Sequence, residues 1–232
     1  MKKLIFGAMA VLFLAACEDE ETNAIAKAQR CLDKVVGGTV ASRAAAAANC
    51  KAMVSGYNSA DSYSIRCAAD FIGDGLDATR ISNAVGRMRD APAGVDPSMV
   101  LMGTIAFSSK AKGDEAFSDC RLSGSAGYIF FASAARVGTL VADAAGGNGG
   151  PLLTAIQNGQ TPTSAEINQA IQNAGSANNA DIGATAVVLF SSQCAVVTAQ
   201  NQTVCNQVQT AINAGAGNMA AIGANLLAGL QP

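Results

Sequence analysis

The segment Cys194-Ala195-Val196-Val197-Thr198-Ala199-Gln200-Asn201-Gln202-Thr203-Val204-Cys205 places two cysteines at similar distances from a polar stretch. Small and apolar residues lie on either side of Gln200-Asn201-Gln202, which is typical of two helices joined by a turn. On one unbroken helix the two cysteines would lie about 16 Å apart, too far for a disulfide. We therefore predict a helical hairpin whose arms are linked by Cys194–Cys205.

The rest of the chain also has a helical pattern. Apolar residues recur at helical spacing, as at Ile25, Ala28 and Leu32, whereas alternating runs of β-branched residues are scarce. The sequence predicts an all-α fold, either an irregular bundle or a degenerate array of helical hairpins stapled by disulfides. The predicted helices span about 22–36, 40–54, 61–72, 81–88, 97–110, 115–145, 151–159, 163–175, 181–198 and 204–230, the last interrupted at Gly215 and Gly217.

The clearest break in this pattern is the glycine-rich segment Gly146-Gly147-Asn148-Gly149-Gly150. Such a composition favours a loop or a flexible hinge. It divides the helical chain into residues 23–145 and 151–232, and we expect the two parts to form one continuous domain.

Besides Cys17, the chain has an even number of cysteines, which in an oxidising compartment suggests up to three disulfides. They are Cys31, Cys50, Cys67, Cys120, Cys194 and Cys205. Cys50 and Cys67 lie at similar distances from the turn residues 56–59, so we predict that they pair and that Cys31 pairs with Cys120. Cys31–Cys50 fits this rule less well. The alternative is six buried thiols that pack as small apolar residues.

The amino terminus has the features of an export signal. A basic start, an apolar run from Leu4 and small residues before Cys17 follow the order of a secretory signal peptide. The apolar run is too short to span a bilayer. Leu14-Ala15-Ala16-Cys17 resembles the lipobox of bacterial lipoproteins. The resemblance covers residues 1–20 and implies cleavage after residue 16, a thioether-linked diacylglycerol on Cys17 and usually a further acyl chain on the new amino terminus. An ordinary secretory signal with a chance cysteine is the alternative.

Residues 17–22 follow as a lipidated acidic tether. Glu18-Asp19-Glu20-Glu21 cannot pack in a core, so we expect the segment to be solvated. In the Gram-negative lipoproteins that this segment resembles, aspartate directly after the lipidated cysteine tends to retain the protein in the inner membrane. Glu18 occupies that position here. We therefore expect attachment to the periplasmic face of the outer membrane through the acyl chains on Cys17.

Composition and charge argue against several functions. Without residues 1–16, which include Lys2 and Lys3, 216 of the 232 residues remain, with 13 basic and 17 acidic side chains. This acidic balance argues against binding to nucleic acid. The chain has no histidine, which excludes histidine-based catalysis and the usual zinc sites. We assign no catalytic residue, no metal and no cofactor, and we expect no enzyme.

Two short motifs have weaker chemical interpretations. Gly73-Asp74-Gly75, followed by Asp77, is similar to part of a calcium loop, but the terminal glutamate is missing at the required spacing. A turn that ends a helix explains it better. No Cys-x-x-Cys motif is present, so the cysteines are interpreted as structural rather than redox-active.

The segment around Arg136 leaves two functions open. It is apolar enough to suggest a membrane span, but Arg136 interrupts it, so we interpret it as a central helix of the fold. A buried Arg136 needs an acidic partner, with Asp143 and Asp181 as candidates. One hypothesis is a structural or adaptor lipoprotein that serves an envelope complex. The alternative is a carrier for a lipid or another apolar small molecule, with Tyr128, Phe130 and Phe131 lining a cavity and Arg136 at its polar end.

Overall fold

The computed structural model describes residues 19–35, 39–90, 97–144, 164–195, 197 and 202–229. This part of the chain contains ten α-helices and no strand, which confirms the all-α prediction. The helices are α1 Glu20–Val35, α2 Val40–Ala52, α3 Ala60–Gly73, α4 Ala78–Arg89, α5 Pro97–Thr104, α6 Lys110–Leu122, α7 Ala126–Ala144, α8 Ser164–Gln193, α9 Gln202–Gly215 and α10 Met219–Gly229. The lipobox with Cys17, the glycine-rich segment 146–150 and the predicted helix 151–159 lie outside the described residues.

Polar side chains fix the beginning of several helices. Thr39, Ser59, Asp77 and Ser109 each accept a hydrogen bond from the backbone N–H three residues later. Such a bond satisfies one of the N–H groups that a helix start leaves unpaired. Helix α1 begins at Glu20, so Glu20 and Glu21 belong to its first turn rather than to an extended tether. Carboxylates are favourable there because they face the positive end of the helix dipole.

Several predicted helix bounds were wrong. The helix predicted over residues 97–110 ends at Thr104, and Lys110 already begins α6. The segment predicted as one helix from residue 115 to 145 forms α6 and α7, separated at Gly124, whose φ of +67° favours glycine. Conversely, α8 runs without interruption from Ser164 to Gln193, where two helices were predicted. The predicted break near Gly215 and Gly217 is present between α9 and α10.

The helices pack as an array in which chain neighbours are mostly neighbours in space. Apolar side chains of α1, α2 and α3 form one buried cluster around Leu32, Val54 and Ile65. A second cluster joins α3 and α6 to α7 and the residues around α5. The third lies among α7, α8, α9 and α10, around Leu140 and Ile182. The core therefore continues along the whole described chain.

Three disulfides link the helices, and their pairing corrects part of the prediction. Cys194–Cys205 is present, with Cα atoms 5.6 Å apart, as predicted. Cys50 pairs with Cys31, joining α1 to α2, and Cys67 pairs with Cys120, joining α3 to α6. The predicted pairs Cys50–Cys67 and Cys31–Cys120 were wrong. The equal-distance rule considers one hairpin at a time, whereas the Cys50 side chain faces α1 and the Cys67 side chain faces α6.

In the described part of the chain, no helix is both long enough and apolar enough to cross a membrane. The apolar segment that contains Arg136 lies in α7, whose residues from Ala132 to Ala142 are all buried. Its partners are α5, α6 and α8. Its apolar composition therefore reflects a central position among other helices, as predicted.

Candidate functional site

Four charged side chains meet where α2, α3 and α6 come together. The ammonium nitrogen of Lys51 lies 2.6 Å from Asp70 Oδ1, 2.7 Å from Glu115 Oε1 and 2.7 Å from Asp119 Oδ2. The three carboxylates each offer an oxygen within 4.8 Å of the others, close enough to surround one small cation. The cation in that position is the Lys51 side chain itself. We call these four residues the Lys51 cluster.

Burial makes the electrostatics of this cluster unusual. Removal from water raises the pKa of Asp70 to about 7; Lys51 opposes that rise, and the charges of Glu115 and Asp119 add to it. For Lys51, burial acts to lower the pKa, but the attraction of Asp70 and the hydrogen bonds to the carboxylates raise it well above its ordinary value. Lys51 therefore stays protonated, and it cannot act as a general base or a nucleophile.

A second charged cluster joins α6, α7 and α8 around Arg136. Its Nε donates to Asp114 Oδ1 at 2.8 Å, and its Nη2 donates to Asp181 Oδ1 at 3.4 Å. Its Nη1 donates to the Asp181 carbonyl at 3.1 Å and to the Thr185 hydroxyl. Lys110 pairs with the same two carboxylates, at 2.7 and 3.0 Å. We call Arg136, Lys110, Asp114 and Asp181 the Arg136 cluster.

The Arg136 cluster is balanced in charge and largely complete in its hydrogen bonds. Burial acts against ionisation of Asp114, but hydrogen bonds from Lys110 and Arg136 hold its pKa below the ordinary value. The Arg136 guanidinium also lies 4.9 Å from the centre of the Phe117 ring, a cation–π contact. Asp181, one of the predicted partners, is confirmed; the second partner is Asp114, and Asp143 is exposed.

The aromatic residues predicted to line a cavity do not share one environment. Tyr128 is exposed, with 38% of its surface accessible. Phe130 and Phe131 are half-buried and pack edge to face, with ring centres 5.3 Å apart. Both also pack against the apolar cluster around α3, α6 and α7. The ring that lies against Arg136 is that of Phe117, which was not among the predicted residues.

Two surface depressions, each lined by described residues, bear on the function. One, of about 160 Å³, lies beside the Lys51 cluster and has a floor of alanines between α2 and α3. The other, of about 380 Å³, is a groove between α9 and α10. Its lining combines neutral polar side chains with small or apolar ones: Asn206, Gln207, Thr210, Ala211, Ala214, Asn225, Leu226 and Gly229. We call it the α9–α10 groove.

The Gly73-Asp74-Gly75 motif forms the turn between α3 and α4. Asp74 follows the last residue of α3, and Gly75 has a φ of +79°, so the motif ends a helix as predicted. The Asp74 carboxylate accepts from Lys112 at 2.6 Å and from the backbone and hydroxyl of Ser108. This carboxylate therefore links the turn to the start of α6.

The Lys51 cluster was not predicted from the sequence. A signal was nevertheless present, because Lys51 follows Cys50, Asp119 precedes Cys120 and Asp70 lies one helical turn after Cys67. Cysteines that pair across a core bring their chain neighbours together as well. The Cys67–Cys120 pairing would therefore have pointed to Asp70 and Asp119 as neighbours, whereas Cys50 pairs with Cys31, so neither of these two disulfides brings Lys51 to them.

No protein-family model, curated protein or solved structure matches this chain.

Proposed function

We propose that the protein is a lipoprotein of the bacterial cell envelope, anchored through acyl chains on Cys17, whose helical domain is an adaptor that holds a protein partner. The proposal places the domain on the periplasmic face of the outer membrane. It rests on the lipobox resemblance for the anchor and on the geometry of α7 to α10 for the adaptor role.

The observation that carries the adaptor role is the state of Arg136. Its side chain is only 10% exposed, and its donors are engaged by Asp114, Asp181 and Thr185. A carrier that used Arg136 to bind a ligand carboxylate would first have to break these bonds. Arg136 is better suited to holding α6, α7 and α8 together than to binding a diffusing molecule.

The α9–α10 groove offers the kind of surface on which a partner would bind. It is open, it is lined by small side chains and carboxamides, and its described lining contains no charge. Small residues allow the backbone of a partner helix to approach closely, and carboxamides provide hydrogen bonds that do not depend on salt. We therefore expect a partner with an uncharged helical segment.

Site-specific photocrosslinking of the full chain in the cells that make it tests the adaptor role. A crosslinker at Asn206 or Thr210, both exposed in the groove, should give one discrete protein adduct. The matched control is the exposed Ser82 on α4, which should give none. A bulky charge in the groove, Ala214→Arg, should abolish the adduct while the circular dichroism spectrum stays unchanged. Equal adducts from Ser82, or no adduct from the groove, would contradict the adaptor role.

Native mass spectrometry distinguishes the adaptor from the carrier. The full chain, released gently from the membrane, should show the mass of the lipidated protein with three disulfides and nothing else bound. A stoichiometric apolar adduct that is lost on Phe131→Ala, but kept on Tyr128→Ala, would favour the carrier instead. Cys17→Ser tests the anchor separately, because it should abolish incorporation of labelled fatty acid and release the protein from the membrane fraction.

A further inference from the structure

The Lys51 cluster is unbalanced in charge, unlike the Arg136 cluster. When all its members are ionised, it has one positive charge against three negative charges within a few ångströms. The Arg136 cluster has two cations for two carboxylates. Like charges that share a partly buried site oppose one another strongly, and a proton is the simplest ion that relieves them.

Asp70 is the member of the cluster that is least able to remain charged. The side chains of Asp70 and Asp119 are both 13% exposed, whereas that of Glu115 is 62% exposed, so burial separates Glu115 from the other two and the hydrogen bonds of Asp70 separate it from Asp119. One Asp70 oxygen is bound to Lys51, and the other is buried without a hydrogen-bond partner. A buried anion with an unsatisfied oxygen is costly, and a neutral carboxyl group at the same place is much less so.

The surroundings of Asp70 do not compensate for this imbalance. Of the charged groups that face Asp70, Lys51 comes from helix α2, and Glu115 and Asp119 come from α6. Helix α1 also packs against α3, and it does so through apolar residues that include Ala28 and Leu32. Lys112, the other cation beside the same depression, is bound to Asp74 at 2.6 Å.

The cluster also occupies a distinctive position among the covalent links. One disulfide joins α1 to α2, and another joins α3 to α6. Neither of these two disulfides joins α2 to α3 or to α6. Lys51 forms ion pairs from α2 to residues of both α3 and α6, and so connects the two disulfide-linked helix pairs. The strength of these ion pairs therefore affects how firmly the two helix pairs hold together.

We propose that the Lys51 cluster is a pH-sensitive clamp, in which Asp70 takes up one proton as the medium turns from mildly alkaline to acidic and thereby tightens the contact of α2 with α3 and α6. The proton removes one of the three negative charges. Lys51 remains bound to Glu115 and Asp119. The contact therefore loses repulsion while it keeps two ion pairs.

The sign of the effect follows from linkage. The pKa of Asp70 is raised to about 7 in the folded chain, and it returns to the ordinary carboxylate value of about 4 on unfolding. The folded state thus binds more protons between these values. The resulting stabilisation is complete below about pH 4 and is lost as the pH rises through about 7. Within that window the unfolding equilibrium constant should fall by at most about tenfold per pH unit of acidification.

Carbon-13 NMR of the aspartate carboxyl groups in the full chain, solubilised in detergent, tests the clamp directly. We expect one aspartate resonance, absent from Asp70→Asn, to titrate with a midpoint near pH 7. In parallel, urea unfolding of the wild type should show increasing stability from pH 8 to pH 5. Asp70→Asn should lose this increase, whereas the matched variant Asp61→Asn, an exposed carboxylate on the same helix, should keep it.

Hydrogen exchange gives a second measurement that does not depend on any variant folding. On acidification from pH 8 to pH 6, amides of α2 next to Lys51 should gain protection, after correction for the intrinsic exchange rate, relative to amides of α9. An Asp70 resonance that titrates near pH 4, or equal changes in α2 and α9, would overturn the proposal.

Discussion

The first half of the molecule, α1 to α6, and the second half, α7 to α10, hold short helices together by different means. The first half has two disulfides and the Lys51 cluster. The second half has one disulfide and relies on close backbone approach. A Cβ atom at Gly183 would overlap the carbonyl oxygen of Met219, and one at Gly223 would overlap that of Asn179. Helices α8 and α10 thus touch backbone to backbone.

Both means answer the same physical difficulty. Alanine and glycine bury little apolar surface, so the helix contacts that they line gain less from packing than the clusters around Leu32 and Leu140 do. One solution is to link the helices by covalent bonds and ion pairs. The other is to bring the backbones so close that dispersion contacts accumulate without large side chains. The second half uses close approach because few charges are present there: beyond Arg121, only Arg136, Asp143, Glu166 and Asp181.

The largest expected effect comes from the first half. The Cys67–Cys120 bond closes a loop of 53 residues, whereas Cys194–Cys205 closes one of 11. Because the entropy of the unfolded chain restricted by a disulfide increases with loop length, replacing Cys67 and Cys120 by alanine should cost about 4 kcal/mol and the second pair about 3 kcal/mol. Urea unfolding under oxidising conditions measures both. The reverse order would show that covalent links matter more to the second half.

Gly223→Ala should have the next largest effect, and it acts on the second half alone. The added methyl group cannot fit without separating α8 from α10, so we expect a loss of about 3 kcal/mol. The matched control is Gly127→Ala, because no atom lies within 4 Å of a Cβ at that position. Thermal unfolding followed by circular dichroism compares the two. Similar melting temperatures for Gly223→Ala and Gly127→Ala would show that the backbone contact between α8 and α10 does not stabilise the fold.

Arg136→Met tests the link between the halves. The loss of Arg136 leaves Asp114 and Asp181 with Lys110 alone, and because both carboxylates are about 40% exposed, we expect a cost of about 2 kcal/mol rather than that of a fully buried pair. The pKa of Asp114 is lowered in the folded chain, so its contribution is present above about pH 4 and is lost as the pH falls below that.

The difference between wild type and Arg136→Met should therefore be larger at pH 7 than at pH 3 in urea unfolding. Arg121→Met, an exposed arginine on α6, provides the control and should change stability by less than about 0.5 kcal/mol. A pH-independent difference would mean that Arg136 stabilises the fold by packing on Phe117 rather than by its charge.

The sequence predicted the disulfide pairing correctly in the second half but not in the first. In the second half, Cys194 and Cys205 flank a single turn. Their positions were enough to predict the disulfide, because both the pairing and the hairpin are local. In the first half, the partners of Cys50 and Cys67 depend on which side of each helix faces which neighbour. Periodicity shows that a helix has a buried face but does not show what covers it. The Lys51 cluster was missed for that reason, and Asp114 was missed as the partner of Arg136.

Gly86→Ala has the smallest expected effect, and it should increase stability, in contrast to the glycine substitution in the second half. Gly86 lies inside α4 in the first half, and no atom lies within 4 Å of a Cβ built on it. Its φ is not in the left-handed region, so alanine fits without strain and restricts the unfolded chain. We expect a gain of about 0.5 to 1 kcal/mol, measured by urea unfolding. Because the same change at Gly183 should be strongly destabilising, the sign of a glycine-to-alanine substitution distinguishes glycines that merely interrupt a helix from those on which two helices meet. A loss of stability at Gly86 would show that α4 also packs through its glycine.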